Sequence, residues 1–120
     1  MQQLSIELNQ PLTGFDSEDV VSVWVYEEAR KTCTDLEGAA TALNENDSGY
    51  VTSAIKNAQT LNASETLLAF ELEDLPAESA LAFFAKISDG SNNILTQGCN
   101  RSDPIGNGKH LNLTVVLATP

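Results

Sequence analysis

The side chains of this sequence that could bind a metal ion are carboxylates on either side of a run rich in valine and aromatic residues. The polar stretch at 44–49 places side-chain oxygens at the alternating positions 44, 46 and 48 and a glycine at 49, as in calcium-binding loops. The twelfth position counted from Asn44 is Ile55, however, where an EF-hand needs a bidentate Glu, so an EF-hand is excluded. The carboxylates that could still build an irregular calcium site are Asp16, Glu18, Asp19, Glu45 and Asp47. A solvated turn is the simpler explanation of the same residues, and we expect neither a metal nor another cofactor.

Groups that could perform acid–base or nucleophilic catalysis are few. His110 is the sole histidine, and no Gly-x-Ser-x-Gly motif accompanies it. Paired carboxylates of the kind that hydrolyse glycosides could be drawn from Glu71, Glu73 and Asp74. In a strand, Glu71 and Glu73 share one face, and a solvated face is the ordinary explanation. We therefore expect no enzyme, and a small hydrolase is only a remote alternative.

Three aromatic residues could form a platform on which a ligand stacks. Trp24, Tyr26 and Tyr50 are amphipathic, and such rings stack on sugars in carbohydrate-binding modules. Aromatic residues make up only 6% of the chain, and burial of Trp24 in a core is the competing interpretation.

The two cysteines, Cys33 and Cys99, do not form a Cys-x-x-Cys motif. With one histidine in the chain, a structural zinc site of about four ligands is not expected. One disulfide in an oxidising compartment fits these residues, and it would stabilise the fold by about 4 kcal/mol. The alternative is a pair of buried, unpaired cysteines in a cytosolic protein.

Charge and hydropathy limit the partners. The net charge of −11, from 17 acidic and 6 basic residues, repels nucleic acids and anionic membrane surfaces. No apolar run is long enough for a transmembrane helix, and no signal peptide is recognisable. Because of the cysteines, we expect an export signal or a lipid anchor outside these 120 residues, and a location in the periplasm, on the outer-membrane surface or outside the cell.

The elements that must position these residues are predicted by apolar–polar alternation. Strands are predicted at residues 4–8, 20–26, 50–55, 68–72, 81–87, 94–98 and 111–117. The turn residues Asp89-Gly-Ser-Asn-Asn93 predict a hairpin that joins the fifth and sixth of these strands. About seven short strands joined by turn residues favour an all-β, two-sheet antiparallel sandwich, transthyretin-like or immunoglobulin-like, in which residues 1–120 form one domain.

Two stretches allow a second interpretation. Residues 20–26 could form a helix, but their β-branched and aromatic density favours a strand. Both faces of that strand are apolar, so we expect a central strand that is packed on both sides or covered by a loop on one. Residues 34–49 are predicted to be either a short helix or a loop.

A series of motifs in the second half of the chain points to a family. Leu-Glu-Asp-Leu-Pro at 72–76 precedes Leu-Ala-Phe-Phe-Ala at 81–85, Ser-Asp-Gly at 88–90 and Leu-Thr-Gln-Gly-Cys at 95–99. This order resembles the transthyretin-like (prealbumin-like) sandwich modules of bacterial surface lipoproteins and carboxypeptidase regulatory domains. Some lipoprotein versions pair a Gly-Cys at the end of the return strand with a cysteine after an early strand, as Cys99 and Cys33 would.

The resemblance implies a non-catalytic module. We expect an exported domain that binds a protein or acts as a spacer or scaffold. A carbohydrate-binding module that uses Trp24 or the loops at one end is the alternative.

Overall fold

The computed structural model describes residues 2–8, 18–57, 67–72, 79–104 and 112–117. Its elements, in chain order, are β1 (Gln2–Leu8), β2 (Val20–Glu27), α1 (Cys33–Gly38), β3 (Tyr50–Asn57), β4 (Leu67–Leu72), β5 (Leu81–Ser88), β6 (Ile94–Ser102) and β7 (Asn112–Leu117). The predicted stretches lie in strands, apart from Leu111 at the start of the last one, which is outside the described residues, so the all-β class is confirmed and the helical interpretation of 20–26 is wrong. Within the described ranges, no helix is long and apolar enough to cross a membrane.

Most strand pairs are antiparallel. One sheet has the order β3-β2-β5-β6, and all of its pairs are antiparallel, with Trp24 opposite both Ser53 and Phe84. The β5–β6 pair is the predicted hairpin. Strand β2 is therefore an interior strand, as its two apolar faces required.

The remaining strands pair in the order β4-β1-β7, and here one pair departs from the antiparallel prediction. Strand β1 is antiparallel to β4 but parallel to β7, with Leu4 opposite Leu113. Parallel neighbours cannot be joined by a tight hairpin. These two strands are separated by the rest of the chain, so no local turn opposes their parallel alignment, and alternation within a strand carries no information about its direction.

The four-stranded sheet is buried on both faces of its inner strands. Every residue of β5 is buried, and Val21, Val23 and Val25 of β2 have no exposed surface. These valines lie across from Ile87, Ala85 and Phe83 in the register and form the inner face. The opposite, outer face carries Trp24, Tyr26, Ala82, Phe84 and Lys86.

The connection from β2 to β3 answers whether residues 34–49 are helix or loop, because it contains both. Helix α1 begins in a capping box: the hydroxyl of Thr32 accepts from the backbone N–H of Asp35, and the Asp35 carboxylate accepts from the backbone N–H of Thr32. That N–H lowers the pKa of Asp35. The helix buries Leu36, and turns follow it to β3. We call residues 33–43 the α1 segment.

Val23→Asp should unfold the protein. Val23 has no exposed surface in the middle of an interior strand, and a buried, unpaired carboxylate costs more than about 4 kcal/mol. Ile55→Asp is the matched control, because Ile55 lies in the neighbouring strand with 66% of its surface exposed. Urea unfolding followed by circular dichroism would measure both variants. A Val23→Asp protein as stable as Ile55→Asp would contradict the described packing.

Candidate functional site

The outer face of the four-stranded sheet is covered by the α1 segment. Leu36 and Ala40 of that segment pack with Tyr26, Ala82 and Phe84 of the sheet. We call these five residues the outer core. Partly buried hydrophobic side chains surround them: Trp24, Cys33, Leu43, Tyr50, Ile94 and Cys99. A six-residue helix is too short to be stable alone, so its position depends on this packing and on a covalent link.

The covalent link is the predicted disulfide, which is confirmed. Cys33 at the start of α1 is bonded to Cys99 in β6, with 5.7 Å between their Cα atoms and 66 residues between them in sequence. Cys99 lies directly across from Phe84 of the outer core. The bond therefore fixes the helix over the sheet at the point where the outer core is packed.

Lys86 is buried beneath the same segment, which the sequence did not indicate. Its side chain is 7% exposed, and its Nζ donates to the backbone carbonyl oxygen of Ala40 at 2.5 Å. The cross-strand neighbours of Lys86, Ser22 and Gln97, are uncharged. Desolvation lowers the pKa of Lys86, because nothing on those neighbouring strands compensates a buried ammonium. The hydrogen bond ties the α1 segment to β5 at a second point.

The structure brings the three predicted platform residues together, but not as a flat surface. The Tyr50 ring is edge-on to Trp24, with 6.1 Å between centroids, and to Tyr26, with 5.9 Å. Tyr26 has no exposed surface, whereas Trp24 and Tyr50 are half-buried. Any stacking surface is therefore confined to Trp24 and Tyr50.

Asp47, one of the calcium candidates, accepts hydrogen bonds within the protein. Its Oδ2 accepts from the Tyr26 hydroxyl at 2.8 Å and from the backbone N–H of Asn44 at 2.9 Å. The hydrogen bond from the Asn44 N–H lowers the pKa of Asp47, and the hydrogen bond from the Tyr26 hydroxyl lowers it further. Burial, followed by the bond to Asp47, raises the pKa of Tyr26. This pair closes the turn at 44–47 against β2.

Two of the calcium candidates, Asp19 and Asp47, lie far apart. Asp19 precedes the first residue of β2, and Asp47 is bonded to Tyr26, whose Cα lies about 20 Å along that strand. Among the described residues, no group of three His, Cys, Asp or Glu side chains could hold a metal ion. Asp16 and His110 lie outside the described residues.

The structure also shows a polar pocket that the sequence did not predict. It has a volume of about 350 Å³ and lies between the end of the α1 segment and the β5–β6 hairpin. The residues that line it are Glu37, Gly38, Ala40, Thr41, Asn92, Asn93, Ile94 and Gln97. Its two walls are some fifty residues apart in sequence, so no local motif could have indicated it.

The hairpin wall of the pocket is held by Asp89. One oxygen of Asp89 accepts from the backbone N–H groups of Ser91 and Asn93, both at 2.9 Å, and the other accepts from the Asn93 side-chain amide. These bonds lower the pKa of Asp89, with the Asn93 N–H contributing most. Asn92 has φ of 63°, a left-handed conformation that asparagine tolerates in turns. The Asp89-Gly-Ser-Asn-Asn93 loop, predicted as a turn, is thus a defined structure.

Replacing both cysteines by alanine should destabilise the protein by about 2–5 kcal/mol. Most of this loss of stability comes from the unfolded state. Without the disulfide, the 66-residue loop is no longer closed, and the unfolded chain gains conformational entropy. Hydrogen exchange should increase first in the α1 segment. The measurements are urea unfolding and amide exchange on the double variant, with unreduced wild-type protein as reference. An unchanged midpoint would mean that the bond does not stabilise the fold.

Lys86→Met should change how stability depends on pH. Because the folded pKa of Lys86 is lowered, the unfolded chain binds more protons as the pH rises toward the ordinary lysine value of about 10.4, so wild-type stability rises over that range. Below the folded pKa, burial of the charge is a constant penalty, which Met removes. The stability of Lys86→Met relative to wild type should therefore fall as the pH rises toward the ordinary lysine value of about 10.4.

Urea titrations at several pH values would measure this difference. Lys56→Met, which removes an exposed positive charge from β3, is the control. Parallel pH profiles for wild type and Lys86→Met would contradict the burial of a titrating amine.

Comparison with known proteins gives no match: no protein-family model, no curated protein and no solved structure is significantly similar to this chain. The functional argument therefore depends on the sequence and on the geometry described above.

Proposed function

We propose that this protein is an exported, non-catalytic β-sandwich module that binds an extended segment of another protein along strand β3. The observation that carries the proposal is the position of β3 at an edge of the four-stranded sheet as far as the described strands show. Strand β3 is hydrogen-bonded to β2 on one side, and no other described strand lies on its second side.

The edge has the features that strand addition requires. Residues 50–55 present backbone groups along a strand of ordinary length, and an added strand would pair with those groups. Ile55 is the large hydrophobic residue that the described part of the chain exposes most, at 66%. An exposed edge with an apolar side chain is prone to pair with other chains unless it has a partner. A specific partner strand would bury both.

The sandwich is supported by the burial of the inner face. Val21, Val23, Phe83 and Ile87 are fully buried on the side of the sheet opposite the α1 segment. Strand β7, which belongs to the β4-β1-β7 sheet, lies next to β5 and β6. A second sheet packed on the inner face explains this burial, since apolar sheet faces pack about 10 Å apart.

The strand order favours the transthyretin-like over the immunoglobulin-like arrangement. In immunoglobulin constant domains, the first strand shares a sheet with the second, fourth and fifth strands. Here β1 pairs with β4 and β7, whereas β2 pairs with β3 and β5. This division of strands is consistent with the transthyretin-like resemblance of residues 72–99.

Export and the lack of catalysis are supported by how the polar groups are used. A disulfide that closes a 66-residue loop is compatible with an oxidising compartment, where such bonds persist. The carboxylates of Asp35, Asp47 and Asp89 accept hydrogen bonds from nearby turns and helix ends. These bonds hold turns and a helix end in place and lower the pKa of each of the three carboxyl groups, which favours the ionised form. A lipid anchor or signal outside these residues would place the module on a surface.

The proposed edge can be tested with displayed peptides. Twelve-residue peptides selected for binding to the wild-type protein should bind as extended strands and have alternating apolar and polar residues. Their binding should slow amide exchange in β3. Ile55→Lys places a charge on the edge and should weaken binding at least about tenfold. Thr34→Lys adds the same charge to an exposed residue of α1 and is the matched control.

The outcome depends on where the peptides bind. Protection of residues 50–55 that is lost in Ile55→Lys and kept in Thr34→Lys would support the proposal. Protection confined to the β5–β6 hairpin, or equal binding by both variants, would overturn it.

A further inference from the structure

The pocket beside the β5–β6 hairpin has hydrogen-bonding groups that the fold does not use. Glu37, Thr41 and Gln97 line it, and the side chains of these three residues have no hydrogen-bond partner among the described residues. They supply a carboxylate, a hydroxyl and a carboxamide. Polar side chains that line one pocket and have no protein partner can bind a polar ligand, although the exposed Glu37 and Thr41 must exchange water for it and become ordered.

Two asparagines complete the polar lining and are already oriented. The side-chain amide of Asn92 donates to the Thr41 carbonyl oxygen at 3.4 Å, and that of Asn93 donates to Asp89 at 3.2 Å. Each amide nitrogen therefore has a fixed partner, which leaves each side-chain oxygen as an acceptor. The pocket thus offers at least two oriented acceptors besides the Glu37 carboxylate.

The walls of the pocket are held together by three links of different kinds. The Cys33–Cys99 disulfide fixes α1 to β6, Lys86 bonds to the Ala40 carbonyl oxygen, and Asn92 bonds to Thr41. The hairpin and the α1 segment therefore keep their separation without a ligand. A site of about 350 Å³ is within the range of small-molecule pockets.

We infer that this pocket binds a single neutral sugar residue, through Glu37, Asn92, Asn93 and Gln97. Sugar hydroxyls both donate and accept, which matches a lining of one carboxylate and several carboxamides. Ile94, which is half-buried, provides apolar surface for a C–H face of the ring. The carboxylate and the net charge of −11 disfavour anions, and one carboxylate is too few to hold a metal ion. This site is separate from strand β3 and goes beyond the proposed protein binding.

The probes are D-glucose, D-galactose, D-mannose and N-acetyl-D-glucosamine, each titrated into isotope-labelled protein and followed by two-dimensional NMR. At least one should shift the backbone signals of residues 37–41 and 92–97, with a dissociation constant of about 1–10 mM for a ligand of this size. Gln97→Ala should weaken that binding at least about fivefold, since it removes an unpartnered amide. Glu45→Gln changes an exposed carboxylate away from the lining and should leave binding unchanged.

Glu37→Gln separates a sugar from a cation. It keeps a hydrogen-bonding group, so sugar affinity should fall only about two- to threefold. If lysine methyl ester shifts the same signals and Glu37→Gln abolishes that binding while no sugar binds, the site is cationic and the inference is overturned. It is also overturned if none of the four sugars, at about 50 mM, shifts these signals in wild-type protein whose spectrum shows that it is folded.

Discussion

The arrangement of this protein depends on one constraint: strand β5 is buried along its whole length, on both faces. When neither face of an interior strand is exposed to solvent, other parts of the chain must pack on both faces of its sheet. The inner face is apolar through alternating valines, Phe83 and Ile87, and the outer face is covered by the α1 segment. Nearly every other feature described, from the disulfide to the polar pocket, follows from how the second cover is made. A short helix contributes little area, so it needs fixed attachment points, and Cys33 and Lys86 provide them.

Much of the β-structure could be predicted from the sequence because alternation reports on burial. The alternation at 81–87 correctly indicated a strand, although both of its faces are buried, and the two apolar faces of 20–26 correctly indicated a strand covered on both sides. The direction of β1 relative to β7 could not be predicted in this way, because pairing between distant strands leaves no mark on either one. The same limit applied to Lys86. A lysine within a strand ordinarily indicates a solvated face. Lys86 is buried because the α1 segment packs on that face, with the Ala40 carbonyl oxygen bonded to its ammonium group.

The candidate site shows a similar division. The cysteine pair followed from residue counting, since few other roles were open to Cys33 and Cys99. The three aromatic residues lie together, as predicted, but their roles differ. Tyr26 is buried and donates a hydrogen bond to Asp47, whereas Trp24 and Tyr50 remain partly exposed to solvent. The pocket could not be found from sequence at all. Asn92 and Asn93 have the composition of any turn, and they acquire a second meaning only because the α1 segment ends opposite them.

The parallel pairing of β1 and β7 has a mechanical consequence. Gln3, near the start of β1, and Leu117, at the end of β7, lie at opposite ends of the ladder that these parallel strands share. Tension applied through the two ends would load the ladder in shear, so that its hydrogen bonds resist together and do not open one after another. The Cys33–Cys99 bond, meanwhile, makes the chain between the cysteines inextensible. Under such a load, only the chain outside the disulfide loop could lengthen.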